Sequence, residues 1–352
     1  MLFHFYKHIV SRFTRTKPSN IALLVTEHCN ARCVMCNIWK DGFSAGVELS
    51  VDNYDKLLGN PLFKDIVNVM LSGGEALLRK DIEKIISIAL MRLPHLKRIT
   101  IATNGLNTEL INSKMLEIAS IVNSFNGNVQ LISQVSFDAL TETHDQIRAP
   151  GASIKVRNTI DKLLDLRKVY PFYKISAGCV IQPLNVDEAE DVFDYLKLNN
   201  IESIFTVVCL DKHYYGNNDS DKLHFDGDKK NKLKEVLKKI ENKETNIGKK
   251  FLYSQFRSML EGGTNNRGCP ALSDTITINP SGDVIPCLNS GGKKIGNVLS
   301  ENVHDIWFSA DTNKICRTII DERCPECMFA CGVGYFNALK FAIRTIGGRF
   351  LV

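Results

Sequence analysis

The chain is predicted to be an α/β protein: a partial (β/α)6 barrel followed by a small cysteine-rich α+β domain built from a β-hairpin and a helix. Three observations predict this. Short β-branched runs alternate with helical periodicity from about residue 20 to 210. The unusual polar residues cluster directly after those runs. Beyond about residue 225 the character changes to a Lys-rich helix, a Gly/Asn stretch and then six of the eleven cysteines.

The strands are expected at 21–26, 66–71, 97–103, 130–137, 174–181 and 203–210. Their nearly continuous apolar character fits parallel strands covered on both faces. Helices are expected between them. The stretch 80–92 places Ile82, Ile85, Ile86 and Ala89 on one face, and 108–122, 155–169 and 187–198 behave likewise. Six strand–helix units fall short of the eight that close a full TIM barrel, and such folds carry their chemistry at the C-terminal ends of the strands. Cys29 follows the first strand, "SGGEALL" (72–78) the second and "TNG" (103–105) the third, and "SFD" (136–138) ends the fourth. These stretches therefore share one rim.

The Lys-rich segment "DKKNKLKEVLKKIENK" carries Leu233, Val236, Leu237 and Ile240 at helical spacing, as an amphipathic surface helix does. It leads to the linker "EGGTNNRG" (261–268). Then "DTITINPSGDVIPC" alternates apolar and polar residues about an "NPSGD" turn, the mark of a hairpin. The expected division is an amphipathic N-terminal segment (1–17), the barrel (18–225), a helical linker (226–265), the cysteine-rich domain (266–335) and a C-terminal helical tail (336–352). Leu2, Phe5, Tyr6, Ile9 and Phe13 form an apolar stripe beside basic residues, and "YFNALKFAIRTIGGRF" is similar. Both are expected to pack against the barrel rather than a membrane.

The 352 residues carry a net charge of +5, with 44% hydrophobic and 24% charged residues, as a soluble enzyme does. The charge is too modest to argue for nucleic acid. No apolar run reaches the ~18 residues a membrane span needs, and the N-terminus lacks the features of a secretory signal. The protein is expected to be cytoplasmic. In that compartment disulfides are disfavoured, so clustered thiols point to metal or redox chemistry.

Cys29, Cys33 and Cys36 stand as C-x3-C-x2-C in "TEHCNARCVMCNIW". Zinc sites want four ligands in paired steps. Three thiolates fit a 4Fe–4S cluster with one iron left open. On this motif, directly after the first strand of a partial barrel, the sequence resembles the radical S-adenosylmethionine (radical SAM) enzymes. The resemblance implies that Cys29, Cys33 and Cys36 ligate the cluster and that SAM chelates its fourth iron. Reductive cleavage then yields methionine and a 5′-deoxyadenosyl radical that abstracts a substrate hydrogen. An electron donor such as flavodoxin or ferredoxin is implied. The aromatic residue common before the third cysteine is Met35 here, and the proline usual after GGE is Ala76.

Gly73, Gly74 and Glu75 resemble the family's GGE motif, where glycines permit close backbone approach and carbonyls and the glutamate accept from the SAM ammonium. Arg148, in "THDQIRAPG", is implied as the partner of the SAM carboxylate, a pairing suited to a planar guanidinium. Ser136 is implied at the ribose or carboxylate and Asn185 at the ribose. The alternative for all three is an ordinary polar residue at a strand end.

The C-terminal cysteines, Cys269-x12-Gly282-x4-Cys287 and Cys324-x2-Cys327-x3-Cys331, resemble the SPASM and twitch extensions of this family. The shortened pattern implies one auxiliary 4Fe–4S cluster on Cys269, Cys287, Cys324 and either Cys327 or Cys331. A structural zinc site is the alternative. Cys316 has no motif partner and is expected to be a buried thiol. Cys179 and Cys209, placed on strands five and six, are expected to be small buried hydrophobes rather than hydrogen-atom donors.

The expected function is radical SAM chemistry leading to net oxidation, either dehydrogenation or bond formation, of a small polar metabolite or a peptide. Few residues precede the first strand, which weighs slightly against a peptide leader-binding domain. Redox-neutral epimerisation and, from a different class, a zinc-stabilised nucleic-acid-binding module are the alternatives.

Overall fold

The computed structural model describes residues 15–41, 48–125, 128–265, 271 and 273–330. The apolar stripe at 2–13, the tail at 336–352, Cys269 and Cys331 lie outside the described residues.

Six strand–helix units follow one another as expected. The strands are β1 (Asn20–Thr26), β2 (Asn68–Gly73), β3 (Arg98–Thr103), β4 (Gln130–Ser136), β5 (Tyr173–Ile181) and β6 (Glu202–Val207). The helices are α1 (Val51–Leu58), α2 (Ile82–Arg92), α3 (Thr108–Ser124), α4 (Thr143–Arg148), α5 (Ala152–Val169) and α6 (Ala189–Leu198). Then come α7 (Gly227–Lys243), α8 (Ile247–Leu260), β7 (Thr275–Ile278), β8 (Asp283–Ile285), β9 (Gly296–Asn297), α9 (Val303–Phe308) and α10 (Ala310–Glu322).

The strands form one sheet in the order β6-β5-β4-β3-β2-β1-β7-β8-β9. β1 to β6 are all parallel to their neighbours, as helical crossovers require. This is a partial TIM-like barrel. The helices bury the faces their periodicity marked: Ile82, Ile85, Ile86 and Ala89 on α2, and Leu233, Val236, Leu237 and Ile240 on α7. Several N-termini are set by capping side chains. Ser50 and Asn53 form a reciprocal capping box on α1, and Asn107 and Asp226 accept the first free N–H groups of α3 and α7. The linker contains a second helix, α8, that the sequence reading did not separate.

The hairpin is present as expected, with Gly282 at φ +86° in its turn. Its position is the surprise. β7 pairs parallel to β1, Asn20 opposite Thr275 through Leu23 opposite Ile278. The hairpin thus extends the barrel sheet, and β8 runs back antiparallel to β7, with Cys287 two residues past its end. Cys209 does not lie on β6 but two residues beyond it, because the strand ends at Val207. Among the described residues no helix is long and apolar enough to cross a membrane.

Candidate functional site

The loop after β1 carries Cys29, Cys33 and Cys36 into one apolar cluster, where Cys33 and Met35 are buried beside Ala31, Leu106 and Ile147. It has little regular structure of its own and is held by its neighbours. The N–H groups of Arg32 and Val34 donate to the carbonyls of Arg148 and Ile147 at the end of α4, each at 2.9 Å. Asn217 donates to the Met35 carbonyl at 2.8 Å, and the Asn37 N–H donates to Tyr215 O at 2.8 Å. The loop after β6 therefore braces the far side. Burial pushes the Cys29 thiol up and Cys36 up to about 12. Such thiols become thiolates only beside a strong positive charge, which bound iron supplies. Among the described residues no three Cys, His, Asp or Glu side chains converge on one ion position. A cubane does not need that, because each thiolate takes a different iron. Three thiols on one loop, with no fourth donor among the described residues, fit a site-differentiated 4Fe–4S cluster.

Gly73 and Gly74 are required by this loop. Gly73 ends β2 at φ +136°, and a β-carbon there would sit 2.1 Å from Thr26 O. One on Gly74 would sit 2.3 Å from His28 O. The N–H groups of Gly74 and Glu75 donate to those same two carbonyls at 2.8 Å. The missing β-carbons also let these residues approach the backbone just before Cys29. Glu75 is buried, and its carboxylate accepts from the N–H groups of Asn104 (2.6 Å) and Leu77 (3.3 Å). Burial pushes its pKa up to about 7, against these hydrogen bonds. Asn104 reaches on to Cys29, its amide nitrogen 3.7 Å from Sγ and 2.7 Å from Asn30 Oδ1.

Ser136 ends β4, half-buried, and its hydroxyl has no hydrogen bond among the described residues. Arg148 closes α4. Its Nε donates to Asp138 Oδ2 at 2.6 Å and its Nη1 lies 3.6 Å from Cys33 Sγ. Burial lowers the pKa of Arg148, but Asp138 and Cys33 raise it further, so the guanidinium stays charged. Asn185 is fully buried and turned into the protein. It donates to the carbonyls of Asp138 (2.8 Å) and Val180 (3.1 Å) and accepts from Gln182 N–H (2.8 Å). Cys179 is fully buried and donates to Asp138 O, as a small buried side chain can.

A cavity of about 160 Å³ opens between the barrel rim and the hairpin. Glu27, Gly73, Gly74, Tyr214, Cys287 and Lys294 are among the residues that line it. Cys287 and Cys324 pack against a small apolar cluster with Cys316 and Ile319. Cys316, set apart in the sequence, is thus close to this group, and its sulfur accepts from Arg15 at 2.8 Å. Asn265 binds the carbonyls of Cys324 and Cys327.

Sequence reasoning missed Asp138, Asn104 and Asn217 as site residues. The first two stand in "SFD" and "TNG", which the strand-end rule had flagged. Asn217 lies in "YYGNN", where only turn-forming composition marks it.

Comparisons with known proteins bear on the family and the fold. The Radical SAM superfamily profile matches residues 23–196, and an iron–sulfur cluster-binding domain, SPASM, matches residues 269–332. The sporulation killing factor maturation protein SkfB of Bacillus subtilis is 26% identical over 188 residues, covering 53% of this chain and 42% of SkfB. A probable GTP 3′,8-cyclase of Archaeoglobus fulgidus is 32% identical over 197 residues, covering 54% of this chain and 60% of the cyclase. The chain thus spans about half the length of these curated relatives. In fold it is similar to Streptococcus suis SuiB bound to S-adenosylmethionine: TM-score 0.63, 16% identity, 90% of this chain and 72% of SuiB. The radical SAM domain takes a 4Fe–4S cluster and SAM, and the SPASM domain takes auxiliary iron–sulfur. The chain belongs to the radical SAM superfamily and carries a C-terminal SPASM iron–sulfur domain.

Proposed function

We propose that the chain, with a cluster on Cys29, Cys33 and Cys36, cleaves SAM reductively to a 5′-deoxyadenosyl radical that abstracts a substrate hydrogen, and that the net outcome is oxidation. The cavity carries this reading. Its wall joins the GGE backbone to Cys287, so a substrate there would lie between the SAM-binding rim and an auxiliary cluster able to accept an electron. Arg148 would hold the SAM carboxylate, and the Ser136 hydroxyl, which has no hydrogen bond among the described residues, the ribose or the carboxylate. Cys287, Cys324, Cys269 and either Cys327 or Cys331 would hold the auxiliary cluster. The buried rim excludes water from the reacting centre. A small protein such as flavodoxin or ferredoxin would supply the electron.

A peptide is the favoured substrate. SkfB is named for maturing a killing factor, and SuiB has been solved bound to its precursor peptide SuiA. A small polar metabolite is the second reading, favoured by the relatives named GTP 3′,8-cyclase. Epimerisation draws no support from Cys179, whose thiol is bonded inside the protein.

The test is anaerobic turnover with dithionite and SAM. The wild type should form 5′-deoxyadenosine, and a Cys29→Ala/Cys33→Ala/Cys36→Ala variant should form none. A candidate peptide should emerge lighter by two hydrogens. A fully iron-loaded wild type that releases no 5′-deoxyadenosine would contradict the proposal.

A further inference from the structure

We propose that the buried Asp138–Arg148 pair positions a charged N–H donor on the sulfur of Cys33 and thereby raises the reduction potential of the barrel cluster. The inference rests on Cys33 being a cluster ligand, and it gives Arg148 a task beyond holding SAM.

The contact is fixed from several directions. Arg148 Nη1 lies 3.6 Å from Cys33 Sγ across 115 residues of sequence. The opposite edge of the guanidinium is anchored by Nε to Asp138 Oδ2 at 2.6 Å, with the Asp138 side chain wholly buried. Asp138 has little freedom of its own. Its Oδ1 accepts from Val180 N–H at 2.8 Å, its carbonyl accepts from Asn185 at 2.8 Å, and its N–H donates to His144 Nδ1 at 3.2 Å. The loop is clamped on both sides of Cys33, since Arg32 and Val34 donate to the backbone of Arg148 and Ile147. Donor and sulfur therefore belong to one rigid unit at the end of α4.

An N–H aimed at a ligating sulfur stabilises the extra negative charge of the reduced cluster and so raises its potential. A guanidinium does this more strongly than a neutral amide, and burial reduces screening. The site offers the comparison internally, because among the described residues the donors to Cys29 Sγ are both neutral, the Ala31 N–H at 3.4 Å and the Asn104 amide at 3.7 Å. Asp138 offsets part of the charge but does not redirect the Nη1 donor.

The test uses reconstituted full-length protein without SAM. The potential of the barrel cluster is read by titration of its EPR signal, identified in the wild type as the signal that changes when SAM is added. Arg148→Gln with wild-type iron content should give a lower potential. An unchanged or higher potential overturns the proposal. If Arg148→Gln does not load, Arg148→Lys, which keeps the charge but not the planar fork, carries the test: a lower potential supports the proposal and an unchanged one overturns it. Cys33→Ala separates the two claims. If it keeps the SAM-responsive signal, the ligand assignment itself fails.

Discussion

Gly74 meets His28 so closely that a β-carbon at position 74 would lie 2.3 Å from the His28 carbonyl oxygen. The obstacle is backbone, which cannot rotate away, and it lies directly before Cys29. Gly74→Ala should push the cysteine loop off the rim at a cost of about 1–3 kcal/mol. Iron bound in the barrel should fall sharply while auxiliary iron remains, which iron analysis per chain would reveal.

Asp138 is wholly buried and holds Arg148 at 2.6 Å. Asp138→Ala would leave a buried guanidinium without its counter-charge. A loss of about 3–5 kcal/mol is expected, measured by chemical denaturation of the unloaded protein.

His144 is fully buried against Phe137, and burial pushes its pKa from 6.5 down to about 4. The unfolded chain therefore takes up a proton near pH 6.5 that the folded protein refuses until about pH 4. Stability due to this group is complete above pH 6.5 and is lost as pH falls toward 4, by about 3 kcal/mol. His144→Gln should flatten that part of the stability–pH curve relative to wild type.

Asn217 donates to the carbonyls of Met35 and Cys209, tying the loop after β6 to the cysteine loop. Asn217→Ala leaves both acceptors unsatisfied, at about 1–3 kcal/mol. Hydrogen exchange at 33–37 should accelerate while exchange in β3 and β4 stays unchanged.

Much of the barrel was legible because its cause is local. Continuous apolar runs and helical periodicity follow from which faces are buried, so Ile85 on α2 or Val135 on β4 could be placed from sequence alone. The rim was legible too, since polar residues at strand ends have few structural reasons to be there. What could not be read were relationships that join distant residues. Nothing near Thr275 announces that it will pair with Asn20, so the hairpin looked separate from the barrel. The spacing of "SGGE" also did not reveal that the Thr26 and His28 carbonyls lie where β-carbons on Gly73 and Gly74 would sit. Arg148 was assigned by resemblance, but its contact with Cys33 depends on Asp138, a partner that no spacing reveals.

Iron and sulfide per chain after anaerobic reconstitution test the central claim most directly. The wild type should hold about eight irons, and the Cys29→Ala/Cys33→Ala/Cys36→Ala variant about four, placing one cluster in the barrel and one in the C-terminal region. About four irons falling to nearly none would leave the C-terminal cysteines without a cluster and remove the basis for oxidative chemistry. No change between the two proteins would contradict the assignment of the barrel site itself.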